Sequence, residues 1–249
     1  MRKGRTKARL AARRNVTEAL AVFTFIPLGR VGFLAGQYAA LGLRERGKLL
    51  RRDYSIASSP YQDFLEFFIE RVEDGQLTAR LFQLEPGVEL LVHPPQGGFS
   101  LDRESGRPHH LMVATVTGIA PFMSMVRSLV IEERRGAAPE MRVTLLQGAS
   151  FADEFGYDAE LRRIAASHPW LVYIPAISRP SENPGWQGET GRVEGLIEKT
   201  LDSLQWTPRD TTVYLCGHPG MIEKGRNILA DRGFHGTQVR EEQYWDEEC

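Results

Sequence analysis

Two rhythms of apolar and polar positions divide the chain. From Ala19 to Phe25 and from Phe64 to Val72, short runs rich in Phe, Val and Ile stand between Gly and Pro turn signals, which is the spacing of short β-strands. A third run, Glu89 to His93, precedes the breaker cluster Pro94-Pro95-Gln96-Gly97-Gly98, and Thr78 to Leu84 is short enough to be one helix between strands. Together these predict a small antiparallel β-barrel. After the polar stretch Asp102 to Pro108 the rhythm changes. Apolar strands at Leu111–Ala114, Val143–Gln147, Leu171–Ile177 and Thr212–Cys216 alternate with helical spacing over Phe122–Arg135, Tyr157–Ser167 and Val193–Leu204. This alternation predicts a doubly wound parallel α/β domain with ligands at the carboxyl ends of its strands. The expected division is a basic arm over 1–15, the barrel over 16–104 and the α/β domain over 105–249.

Composition agrees with two domains and narrows the chemistry. The chain has 249 residues, 42% hydrophobic and 25% charged, with 24 Gly and 14 Pro, enough to bury a core in each half. A formal charge of -1 gives the whole molecule no electrostatic reason to bind nucleic acid. The seven Lys and Arg residues of Met1 to Arg14 read as a solvated terminus or as a patch for an acidic partner or anionic lipid. Cys216 and Cys249 are the only cysteines, too few for an iron–sulfur cluster, so the chain needs a separate electron carrier for any such chemistry. The six histidines show no metal-binding spacing, and no metal is expected. No apolar run approaches the ~20 residues that span a bilayer, and a cytoplasmic location without stable membrane insertion is the expectation.

Several strings carry candidate chemistry. On a strand, Arg52 and Tyr54 share a face while Asp53 and Ser55 point the other way, so an arginine fit to neutralise phosphate adjoins a ring fit to cover a flat ligand. Asp74-Gly75-Gln76-Leu77-Thr78 places a glycine at a helix start, where bare N–H groups suit a pyrophosphate, although Thr78 as a simple helix cap explains it equally. Ala114-Thr115-Val116-Thr117-Gly118-Ile119-Ala120-Pro121 lies where a strand turns into a helix, the usual seat of a dinucleotide phosphate. Ser178-Arg179 and Gly191-Arg192 put guanidinium groups on loops after strands, and Cys216-Gly217-His218-Pro219-Gly220-Met221 follows the last apolar strand. Taken singly, each is as compatible with ordinary loops and packing.

In order, these strings resemble the ferredoxin-NADP reductase family, particularly its bacterial flavodoxin/ferredoxin reductase branch. Arg52-x-Tyr54-Ser55 is similar to its flavin signature, Gly75-x-x-Thr78 to its pyrophosphate turn, and Thr117-Gly118-x-x-Pro121 to its nicotinamide loop, with Val116 where a glycine is expected. Arg179 and Arg192 fall where relatives clamp the 2′-phosphate of NADP, beside Ser178, while a third arginine of some relatives maps to Ser150. Cys216-Gly217-x-Pro219-x-Met221 and the closing Tyr244-Trp245 complete the set.

The resemblance implies a Greek-key β-barrel that binds FAD, followed by the doubly wound domain that binds NADP(H). Arg52, Asp53, Tyr54, Ser55, Phe68, Ile69, Gly75, Gln76, Leu77 and Thr78 would hold the flavin. Thr117, Gly118, Pro121, Ser178, Arg179, Arg192, Gly217 and Met221 would hold the nicotinamide nucleotide. Ser55, Cys216 and one of Trp245 or Tyr244 would adjoin the reacting rings. The implied activity is NADPH–flavin hydride transfer with single electrons passed to ferredoxin or flavodoxin, in a monomer. An NAD(P)H-dependent flavin or oxygenase reductase on the same fold is one alternative, and a non-catalytic FAD-binding redox-sensing subunit, which Val116 keeps open, is another.

Overall fold

A computed structural model describes residues 4–45 and 47–244, and the chain separates into two compact units. The first is built on a six-stranded antiparallel sheet in the order β4-β3-β6-β1-β2-β5. Its strands are β1 (Thr6–Asn15), β2 (Leu20–Pro27), β3 (Tyr38–Glu45), β4 (Lys48–Ser55), β5 (Leu65–Glu70) and β6 (Glu89–Val92), with helix α1 (Gln76–Leu81) between the last two. The sheet edges meet where Ile56, just past β4, bridges Phe67 of β5 and the Ala57 N–H donates to the Glu66 carbonyl at 2.8 Å. This closes the barrel and removes the open edges. Phe23, Phe25, Phe67, Leu41 and Leu81 fill it, the Phe25 and Phe67 rings meeting edge to face at 6.1 Å.

From Thr6 onward the basic terminus is not a solvated arm. Residues 6–15 form β1, an interior strand paired with β2 on one side and β6 on the other. Ala8 and Leu10 point into the core while Lys7, Arg9 and Arg14 face outward, and the register shifts between Leu10 and Ala12. Charge on the outer face of a half-buried strand hides a period-2 pattern whose inner positions are small. Removing this segment would take out the middle of the sheet.

Strand β3 also escapes the sequence pattern, because Tyr-Ala-Ala-Leu-Gly-Leu reads as helix former and only pairing with β4 and β6 makes it a strand. Helix α2 (Ala120–Arg134) groups by its contacts with the barrel rather than with the sheet it follows in sequence. Its Ser124 hydroxyl donates to the Ser58 carbonyl at 2.6 Å, Ser128 and Ser59 share a hydroxyl contact of 2.8 Å, and Arg127 binds the Ala57 carbonyl and the Glu66 carboxylate.

The second unit holds a wholly parallel sheet in the order β10-β9-β8-β7-β11-β12. Its strands are β7 (His109–Thr115), β8 (Arg142–Ala149), β9 (Leu171–Ile177), β10 (Glu189–Thr190), β11 (Thr211–Gly217) and β12 (Val239–Gln243), with helices α3 (Asp158–Ser167), α4 (Leu196–Leu204) and α5 (Pro219–Asp231). The strand order reverses between β7 and β11, which fixes the topological switch point where such sheets bind ligands. A polar network is buried in this unit. Asp102 accepts from Thr212 and Arg107, each at 2.8 Å, and Tyr214 receives the Asp102 N–H at 2.8 Å while touching His110 Nδ1 at 2.9 Å. Among the described residues no helix is long and apolar enough to cross a membrane.

Candidate functional site

In the barrel, β4 presents the first set of site residues. Arg52 and Asp53 are exposed, Tyr54 is half-buried against the core, and Ser55 is 5% exposed at the strand end. The Arg52 guanidinium donates to the Arg51 carbonyl at 3.0 Å, a contact that a phosphate can replace. Helix α1 lies against β4 and brings the glycine turn to the same region. Gly75 is irreplaceable there, since a Cβ would meet Thr78 Oγ1 at 2.4 Å and Val72 Cβ at 2.9 Å. Thr78 spends its hydroxyl within the turn, donating to the Gly75 carbonyl and accepting the Val72 N–H. No side chain caps α1, so the N–H groups of Gln76, Leu77 and Thr78 have no intrahelical partner and can bind an anion. The Leu77 and Ile69 side chains are in the core, leaving only their backbone for a ligand, and Phe68 is 3% exposed on the opposite face of β5 from Ile69.

In the parallel unit, the loops after β7 and β11 clasp each other at the switch point. Thr115 Oγ1 accepts the His218 N–H at 2.8 Å. A Cβ on Gly118 would lie 2.3 Å from the Cys216 carbonyl oxygen, and one on Gly217, at φ 126°, would meet Thr115 Oγ1 at 2.2 Å. Two glycines therefore let the loops approach to backbone contact. Val116 takes φ 42°, a region that costs an L-residue ~1–2 kcal/mol and a β-branched one the most. Its side chain packs against the buried cluster of Ala149, Phe155 and Ile177, which Trp186 also covers, with the Phe155 and Trp186 rings stacked at 5.6 Å. Thr117 is half-buried, Pro121 opens α2, and Met221 is 4% exposed within the apolar core, where it supports the loop from below.

Cys216 is fully buried, and burial pushes its thiol well up, with the Glu242 carboxylate acting in the same sense against a hydrogen bond with Tyr244. The group is a thiol, not a thiolate. Parallel pairing sets Cys216 opposite Glu242, a residue the sequence strings did not single out because the relation exists only across strands. Tyr244 is tied to both loops, its N–H donating to the Gly217 carbonyl and its hydroxyl to the Thr117 carbonyl, each at 3.2 Å. Trp245 lies outside the described residues. Ser178 is half-buried, Arg179 and Arg192 are exposed, and Ser150, Arg179 and Asn183 are linked through Asn183 Nδ2, which donates to the Arg179 carbonyl at 2.7 Å and the Ser150 carbonyl at 3.3 Å.

Residues 7–101 match the oxidoreductase FAD-binding domain, and residues 112–227 match the oxidoreductase NAD-binding domain. The ferredoxin–NADP reductase of Pseudomonas aeruginosa is 32% identical over 211 residues, 81% of this chain and 80% of that protein. The chain belongs to the ferredoxin–NADP reductase family. Ferredoxin–NADP reductase B of Sorangium cellulosum is 32% identical over 244 residues, covering 96% of this chain and 97% of that one. A crystal structure of a ferredoxin NADP+ reductase from Neisseria gonorrhoeae with bound FAD and NADP superposes with a TM-score of 0.83, at 25% identity over 96% of this chain and 98% of that chain.

The residues present fit both groups. For FAD the donor set is a guanidinium, a glycine-opened helix start and an aromatic face; for the nicotinamide nucleotide it is a glycine-lined clasp after β7 and β11, with arginines on the loops after β9 and β10. In this family the chain is an FAD-dependent oxidoreductase that uses a nicotinamide nucleotide.

Proposed function

We propose that this reductase takes a hydride from NADPH onto its flavin and delivers electrons singly to a ferredoxin or flavodoxin, as a cytoplasmic monomer. Residues 16–104, with β1, serve FAD and residues 105–249 serve the nucleotide. The observation that carries the reading is the clasp at the switch point, where Gly118 and Gly217 leave backbone, not side chain, around buried Cys216. Bound flavin supplies acceptance of a hydride and its release as single electrons.

The chain's own residues do the rest. Arg52 and the α1 amides neutralise the diphosphate, and Tyr54 covers one ring face. Ser55, at the strand end, holds a hydrogen bond near the flavin. Cys216, kept neutral by burial at the end of β11, would underlie the nicotinamide site and add no charge that would favour either redox state. Tyr244 shapes the same pocket through its bonds to the two loops. Arg179 and Arg192 serve the nucleotide's ribose end, where paired guanidinium donors suit a phosphate.

The oxygenase-reductase reading draws on the reductase component of a Pseudomonas phenol 2-monooxygenase, 33% identical over 200 residues but matched over only 53% of its length. Anaerobic stopped-flow mixing of the FAD-loaded protein with NADPH and with NADH separates the readings. Rapid bleaching followed by reoxidation on adding ferredoxin or flavodoxin is expected. Reoxidation by free flavin but by neither carrier would favour the alternative reductase, and no bleaching with either nucleotide would leave only a sensor.

A further inference from the structure

The loops beyond β8 and β9 carry charges of opposite sign, and the negative one is the more firmly anchored. Glu154 Oε2 accepts the Ser150 N–H at 2.7 Å and the Phe151 N–H at 2.9 Å. Two successive amides converging on one oxygen make a concave donor site of the kind that holds anions. Here the chain fills it with its own carboxylate. The next amide, of Ala152, donates to Asn183 Oδ1 at 2.8 Å, and Asn183 binds the Arg179 carbonyl in turn, so the β8 and β9 loops are stapled together. Arg179 reaches the other side of the same dipeptide. Its guanidinium lies 5.2 Å from the centre of the Phe151 ring and 3.7 Å from the Glu182 carboxylate, with its side chain 54% exposed.

The position just past the second strand of a parallel nucleotide-binding unit is where the adenosine ribose is read. A carboxylate there accepts from a 2′-hydroxyl, whereas a basic group accommodates a 2′-phosphate. The second strand here is β8, and Glu154 stands four residues beyond Ser150, on the loop that opens from that strand's end.

We propose that Glu154 is a specificity-determining residue that accepts the 2′-hydroxyl of NADH and opposes the 2′-phosphate of NADPH, so that the pair Arg179 and Arg192 is countered from within its own site. The inference rests on the nucleotide site proposed above and sharpens it: NADH is retained as a substrate. A 2′-phosphate entering between these loops meets a carboxylate that cannot swing away without breaking two amide hydrogen bonds, and the arginines must offset that like charge.

The test is isothermal titration calorimetry of the FAD-loaded protein with 2′-phospho-AMP and with AMP, comparing the unaltered chain with Glu154→Gln. Glutamine keeps a carbonyl oxygen for the two amides and removes the charge and the free oxygen. The expected result is an affinity for 2′-phospho-AMP raised about fivefold, the size of one partly exposed charge contact, with AMP weakened because its 2′-hydroxyl loses the free carboxylate oxygen that accepts it, and the gain for 2′-phospho-AMP shrinking in high salt. An unchanged ratio of the two affinities would make Glu154 a loop cap and overturn the proposal, as would equal changes in both, whatever the thermal midpoint of the variant does. Failure of both fragments to bind the unaltered protein would instead overturn the nucleotide site itself.

Discussion

The two units bury different chemistry. Every buried polar side chain described in the barrel unit is a hydroxyl: Ser55, Ser58, Ser59 and Thr78 in the barrel, Ser124 and Ser128 on α2. The parallel unit buries Asp102, His110, Glu194, Cys216 and Tyr214, all of them titratable. A barrel closed by apolar side chains has little that protons can change, whereas a parallel sheet held by a charged network depends on the state of each member. The difference also separates the two binding tasks. The residues proposed for the flavin stand on regular elements, β4 and α1, with charge on the outside. The residues proposed for the nucleotide stand on loops pressed together at unusual backbone angles and held by the Thr115–His218 bond and the apolar packing around Val116, whereas the buried polar network lies toward the opposite, amino-terminal ends of β7 and β11.

The largest expected effect breaks the barrel side alone. Arg52→Ala should lower FAD affinity by ten- to a hundredfold, because a charge-assisted phosphate contact contributes ~1.5–3 kcal/mol. Thermal stability of the FAD-stripped protein should be unchanged, since Arg52 is exposed. Flavin content after purification and a titration with added FAD measure this; full retention of FAD would remove Arg52 from the site.

The next effect belongs to the parallel unit. Burial lowers the His110 imidazole to about 4, and its Nε2 finds no hydrogen-bond partner among the described residues, so folding favours the neutral ring. A depressed histidine contributes its full stability above the unfolded value near 6.5 and loses it as pH falls toward 4. The loss should approach ~3 kcal/mol. Asp102 adds to it only at lower pH: burial would raise its carboxyl, but hydrogen bonds from Ser105, Thr212 and Arg107 hold it far below the usual range. Urea unfolding followed from pH 7 to pH 4 should show the slope, and His110→Asn should flatten it. A variant as acid-sensitive as the parent would place the sensitivity elsewhere.

A smaller effect sharpens the contrast between regular and strained sites. At most positions alanine is better tolerated than glycine, but Val116 sits at φ 42°, where a Cβ is penalised. Val116→Gly should therefore be more stable than Val116→Ala by about 1 kcal/mol. Both lose the packing against the Ala149, Phe155 and Ile177 cluster, which cancels in the comparison. Chemical denaturation of the two variants decides it, and the usual order, alanine above glycine, would show that the loop relaxes.

In the parallel unit β7, β8 and β11 were legible because they are buried on both faces and read as nearly unbroken apolar runs, while the exposed edge strands β10 and β12 carry no such run and were not foreseen. The prediction for Leu171–Ile177 coincides with β9, and the other three strands fall within two residues of their observed ends. Helix α5 was not foreseen, since Gly220 and Gly225 interrupt it, yet Gly225 packs tightly against Leu215 and Ile197 side chains. In the barrel, β2, β5 and β6 were legible from Phe, Val and Ile, and β1 and β3 were not.

What the sequence by itself determined is the local and the ordered: the two folds, the order of the glycine and arginine strings proposed for a flavin and a nucleotide site, and the missing glycine at Val116. These are set by residue type and spacing along one chain. What only the tertiary structure decided are relations between distant segments. The basic terminus became an interior strand because β2 and β6 pair with it. Glu242 gained its place opposite Cys216 from strand register. Glu154 became the partner of the Ser150 and Phe151 amides through the turn after β8, a short-range contact whose meaning depends on Asn183 and Arg179 arriving from the β9 loop. Such relations have no signature in periodicity, since hydrogen bonds and charges act over a few ångströms in space whatever the separation along the chain.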